Sequence, residues 1–138
     1  MGILGGDVTI HNKTQYKWTV CIESKEPWPL PDRYFTFTVG GYEKKVRKLF
    51  VPITFIRTIY IKVKYGECSE TDCYKNPFVV HLWYMFNPKD EPYFTIRESG
   101  DHQQIHLDCN RHYEEKSSTC PNYGRTGKSG PGANCGPC

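Results

Sequence analysis

The chain has 138 residues and a net charge of +3, and 14% of it is aromatic: ten Tyr, seven Phe and three Trp. That is one domain's length, sufficient for a hydrophobic core of its own, and no apolar run approaches the length of a transmembrane helix. Two Met, ten Pro and twelve Gly, at a mean hydropathy of −0.63, argue against an ordinary helical core and for many turns.

The opening Met1-Gly2-Ile3-Leu4-Gly5-Gly6 has neither a charged n-region nor a long apolar h-region, and a mature form with its leader removed is expected. Strand-like alternation then begins. Val8 and Ile10 alternate with Thr9 and His11, and Trp18, Val20 and Ile22 with Lys17, Thr19 and Cys21. Asn12-Lys13-Thr14, in the turn between them, is an N-glycosylation sequon, which predicts a glycan on an accessible Asn12. Residues Lys25 to Asp32, with Pro27, Pro29 and Pro31, are expected to form a surface loop. Phe35, Phe37 and Val39 alternate with Tyr34, Thr36 and Thr38. Gly40-Gly41 then predicts a two-residue hairpin into 42–50.

The clearest run is Ile53, Phe55, Arg57, Ile59, Ile61, Val63 and Tyr65, where Arg57 interrupts the apolar face and predicts a bulge or a strand end. Residues 78–86 are apolar on both faces and are expected to form a central strand. Shorter strands follow at 93–97 and 103–109, joined by a hairpin loop at Glu98-Ser99-Gly100-Asp101. Residues 117–138 are Ser, Gly, Pro, Asn and Cys without apolar periodicity. The expected fold is all-β: an antiparallel β-sandwich or jelly roll of about eight strands over residues 1–116, then an irregular tail over 117–138 pinned by disulfides.

Seven cysteines, Cys21, Cys68, Cys73, Cys109, Cys120, Cys135 and Cys138, contain no pair of C-x₂-C knuckles, so a disulfide framework is expected and not a zinc ribbon. Secretion follows from that. The odd count leaves one thiol free or paired with another chain, and the connectivity is open. A bridge from Cys68 to Cys73 is the simplest account of the acidic loop between them. Its Glu67, Glu70 and Asp72 match no EF-hand spacing. Cys135-Gly136-Pro137-Cys138 has the letters of a thioredoxin motif but no helix after it to lower a thiol pKa.

His102, His106, His112 and Asp108 fall on one face of the last strand. Strand positions four apart lie about 13 Å apart, too far to share an ion, so no metal is expected. Charge is unevenly placed: residues 41–65 hold seven bases against one acid, and 66–120 hold five against ten. Tyr42, Lys44, Lys45, Arg47, Lys48, Tyr60, Lys62 and Lys64 therefore make the candidate binding surface, a basic patch interleaved with rings. No nucleophile elbow, phosphate loop or H-E-x-x-H is present, and neither enzymatic activity nor a cofactor is expected.

Val8 to Trp18 (V-T-I-H-N-K-T-Q-Y-K-W) and Gly66 to Cys73 (G-E-C-S-E-T-D-C) resemble two stretches of thaumatin-like proteins. The second lacks that family's Gly before the Asp and the cysteine count differs, so no site is carried over. The sequence thus points to a secreted recognition module for a glycan or protein ligand, with no nucleic acid partner and possible assembly through the odd cysteine. A membrane-active defence or toxin-like, pore-forming protein that touches anionic lipid through the basic strands and Trp28 is the alternative. A small metal- or redox-handling protein is the third reading.

Overall fold

Alternating β-branched and aromatic residues build a chain that is mostly β, in two sheets. The structure, a computed structural model, describes residues 3–26, 29, 31–52, 57–73, 80–86, 91–98, 100, 104–109 and 125–128. In chain order the strands are β1 (Ile3–Asn12), β2 (Trp18–Ser24), β3 (Arg33–Val39), β4 (Lys44–Pro52), β5 (Arg57–Tyr65), β6 (Val80–Phe86), β7 (Tyr93–Glu98), β8 (Gln104–Cys109) and β9 (Arg125–Lys128). A single helical turn, α1 (Glu70–Cys73), lies between β5 and β6. One sheet runs β4-β1-β7-β8-β9 and the other β3-β2-β5-β6.

One strand pair corrects the expectation of an antiparallel architecture. β1 and β7 run parallel, with Thr9 beside Tyr93 and His11 beside Thr95. A parallel pair cannot be closed by a tight turn, and here the excursion through β2 to β6 is the crossover. One hydrophobic cluster takes residues from both sheets. Val8, Ile10, Leu49, Phe94, Ile96, Ile105 and Leu107 come from the first, and Trp18, Val20, Ile22, Val39, Ile59, Ile61 and Val63 from the second. These are the alternating positions, each worth roughly 1.5–3 kcal/mol for full burial of a large apolar side chain. β5 begins at Arg57, where the apolar face is interrupted.

Among the described residues, β6 (Val80–Phe86) is not the central strand expected over 78–86. β6 is last in the order of its sheet. The strand buried on both faces is β2, whose second face is polar. Segment 66–73 covers that face. Thr19 Oγ1 donates to the Gly66 carbonyl (2.6 Å) and accepts from Cys68 N–H (2.9 Å), and Cys21 bonds Cys73 with Cα atoms 5.9 Å apart. Cys68 and Cys73 therefore do not bridge each other. Cys68 and Cys109 are also disulfide-bonded. All four described cysteines are thus bonded, and a thiol without a partner in its own chain must be one of Cys120, Cys135 and Cys138. Those three lie outside the described residues, as do Trp28, His102, His112 and residues 53–56.

Gly40-Gly41 does not make a hairpin either, because β3 and β4 belong to different sheets and the turn is a corner between them. Positive φ falls on Tyr42 (60°), whose N–H donates to the Thr14 carbonyl at 2.9 Å. Gly41 is required for closeness: a Cβ there would stand 2.6 Å from the Gln15 carbonyl oxygen. Within 117–138, residues Arg125–Lys128 are not irregular, since β9 pairs antiparallel with β8.

Candidate functional site

The eight residues of the expected basic-aromatic surface separate onto two sheets. Tyr60, Lys62 and Lys64 lie on β5, opposite its core-facing Ile59, Ile61 and Val63. Lys64 is only 4% exposed. Lys62 donates to Glu23 at 2.9 Å, Lys25 donates to the other Glu23 oxygen at 2.9 Å, and Lys25 also reaches Asp32 at 2.9 Å. Both ammonium groups sit against the Tyr60 ring, 5.7 Å and 5.9 Å from its centroid. Burial alone would raise the Glu23 carboxyl. Hydrogen bonds from Lys25 and Lys62 outweigh burial and hold it below the usual carboxylate range. Hydrogen bonds to Glu23 and Asp32 raise Lys25, and Lys25 with the Glu26 N–H lowers Asp32. This is a closed ion network that ties the β2–β3 loop to the sheet.

Tyr42, Lys44, Lys45, Arg47 and Lys48 fall on and just before β4, the end strand of the five-stranded sheet. Tyr42 is 70% exposed and Val46 57%. Odd positions pair with the core-facing residues of β1: Leu49 with Gly6, Arg47 with Val8, Lys45 with Ile10. Leu49 is buried, whereas Arg47 stays in solvent and lays its guanidinium over Phe35 at 5.3 Å, with Arg33 on the same ring at 5.7 Å. Even positions face outward, with Lys48 beside Asp7 (2.9 Å) and Lys44 beside His11. Lys45 approaches Glu43 at 4.0 Å.

Around Lys44 the parallel β1–β7 pair assembles groups far apart in the chain. The Lys44 ammonium lies 5.4 Å from the centroid of the Tyr93 ring, and the Tyr93 hydroxyl is 3.0 Å from His11 Nδ1. The two rings meet edge-on at 6.2 Å. Burial, then the charges of Lys44 and Lys13, lowers the His11 pKa and favours neutral imidazole. Thr95, in register with His11, is 3% exposed, and its hydroxyl has no partner among the described residues. Lys13, Lys44 and Arg47 make no ion pair among the described residues. Nothing in the local sequence marks His11, Tyr93 or Thr95. A His and a Tyr 82 positions apart become neighbours only through a crossover that alternation does not encode.

Asn12 of the sequon is not at an accessible position in this fold. Its side chain is 0% exposed. Both Nδ2 hydrogens are used, one on the Tyr16 carbonyl (2.6 Å) and one on the Gly40 carbonyl (2.8 Å). Its Oδ1 accepts from Thr14 N–H (2.9 Å) and the Thr14 hydroxyl (2.7 Å), which in turn accepts from Trp18 Nε1 (2.7 Å). The Asn-x-Thr spacing serves an Asx turn whose hub joins β1, the following turn and the β3–β4 corner.

His106 and Asp108 lie on the outer face of β8, but Asp108 is ion-paired with Arg97, so a cation already occupies the carboxylate a metal would use. No cluster of metal-ligating residues occurs among the described residues. Glu67 of the acidic loop pairs with Lys17 at 3.2 Å, both side chains exposed. Among the described residues no helix is long and apolar enough to cross a membrane. No known family model matches the chain. No curated protein matches it either.

Proposed function

We propose that the protein is a secreted, disulfide-stapled recognition module whose two sheets pack as a β-sandwich and whose β4 margin binds an acidic glycan. The observation that carries this reading is uncompensated charge. Lys13, Lys44 and Arg47 have no carboxylate partner among the described residues, and each lies beside an aromatic ring or an exposed turn. Lys25 and Lys62, by contrast, meet carboxylates. Tyr42, exposed just before β4, offers a flat ring suited to a sugar face. The bonded cysteines support an oxidising compartment, and the shared hydrophobic cluster supports the sandwich.

Lysines on an end strand also discourage edge-to-edge pairing of sheets. That role accounts for Lys45 and Lys48. It gives no reason for a histidine and a tyrosine to be organised beneath Lys44.

The test is binding of a heparin-type sulfated oligosaccharide by calorimetry at low and physiological ionic strength. Lys44→Glu and Arg47→Glu together are expected to weaken binding at least about tenfold, equivalent to about 1.4 kcal/mol. Lys17→Gln, in an exposed pair elsewhere, is the control and is expected to leave affinity unchanged. Equal affinity for all three proteins would refute the assignment of the surface.

A further inference from the structure

Deepening that reading, and resting on it, we propose that His11, Lys13, Lys44 and Tyr93 form a proton-coupled subsite for a sulfate ester, which binds with uptake of one proton by His11. The geometry places the sulfate on the outer face of the five-stranded sheet. Lys44 of β4 and Lys13 of the turn after β1 flank the imidazole, and Tyr93 of β7 contacts it from the other side.

In the neutral tautomer that carries its hydrogen on Nε2, His11 Nδ1 accepts a hydrogen bond from the Tyr93 hydroxyl across the 3.0 Å contact. A proton taken from solvent at Nδ1 reverses that bond. Nδ1–H then donates to the phenol oxygen, and the Tyr93 hydroxyl is free to turn its own hydrogen to a ligand. One protonation thus adds a positive charge and releases a second donor.

Charge balance supplies the coupling. Burial, then the charges of Lys44 and Lys13, lowers the His11 pKa, and neither lysine has an anionic partner among the described residues. An oxyanion placed between them removes the repulsion and replaces it with attraction. The other charged groups on this face are engaged elsewhere: Asp7 with Lys48, and Asp108 with Arg97. By linkage, a ligand that raises the proton affinity of His11 binds more tightly as pH falls through the histidine range.

The experiment uses the sulfated oligosaccharide with the full chain, from about pH 5.5 to about pH 8. Calorimetry in two buffers of different ionisation enthalpy counts protons, and the His11 ring resonances are titrated with and without the probe. Affinity is expected to rise about three- to tenfold per pH unit on acidification, with proton uptake approaching one and the His11 midpoint displaced upward at saturation. His11→Gln is expected to abolish the proton uptake and flatten the pH profile of affinity. Binding with no proton uptake, or with a His11 midpoint that the probe leaves unmoved, would overturn the subsite and leave the glycan-binding reading standing. No binding at any pH would remove that reading and the subsite with it. The ring titration needs no variant, so a folding defect in His11→Gln does not affect it.

Discussion

Asn12→Ala tests whether the Asn-x-Thr segment is structural. The substitution removes four hydrogen bonds, at 2.6, 2.8, 2.9 and 2.7 Å, from a side chain with no solvent exposure. Each is worth about 1 kcal/mol net, and each stranded buried partner adds a desolvation cost of its own. Allowing for water entering the space left behind, the loss is expected to be about 3–5 kcal/mol, a large share of the roughly 5–15 kcal/mol that holds a domain together. Thr14→Val keeps the volume and strands Trp18 Nε1, for about 2 kcal/mol. The assay is equilibrium unfolding in urea with disulfides intact, read as a fall in midpoint at unchanged slope. Because the sites share atoms, the double variant is expected to cost less than the sum. An Asn12→Ala protein within about 1 kcal/mol of the parent would refute the hub. So would an N-linked glycan on correctly folded protein from a secretory host.

Gly41→Ala forces a methyl against the Gln15 carbonyl and is expected to lower the urea midpoint, whereas Gly40→Ala, with its nearest neighbour at 3.5 Å, is expected to be mild. Cys21→Ser with Cys73→Ser opens a loop of sequence separation 52 and is expected to cost about 4 kcal/mol by loop entropy, measured by the same unfolding. Alkylation without reductant is expected to label only peptides holding Cys120, Cys135 or Cys138, read by peptide mass mapping, and label on any of the other four would contradict the pairing. Glu23 is held below its usual range when folded, so its contribution is present above the unfolded value near 4.5 and is lost as pH falls through the folded value. Glu23→Gln is therefore expected to be about 2–3 kcal/mol less stable at neutral pH, with the difference closing in acid, as followed by urea midpoints across pH.

Much of the fold is legible in alternation. Val8 and Ile10, Trp18 to Ile22, and Ile59 to Val63 face the core as their period requires. Alternation fails where a partner strand or a covering segment decides the outcome. It marks 78–86 as central because both faces are apolar. It misses β2, whose polar Thr19, Cys21 and Glu23 are buried by a segment about fifty residues later and by two lysines. Gly40-Gly41 has the letters of a hairpin, but the letters do not say that the next strand belongs to another sheet. The basic patch is half legible for the same reason. Lys44 and Lys62 look alike in sequence, yet among the described residues only Lys62 of the two meets a carboxylate, supplied by β2. His11 and Tyr93 are invisible to spacing because a parallel pair brings them together.

The most direct test of the recognition surface is residue-resolved: a titration of isotope-labelled protein with the sulfated oligosaccharide, followed by amide and ring chemical shifts. The predicted perturbations concentrate on Lys44 to Lys48, His11, Lys13 and Tyr93, and fade across β7 toward β8. Perturbations centred on Tyr60, Lys62 and Lys64, or none at saturating probe, would contradict the account.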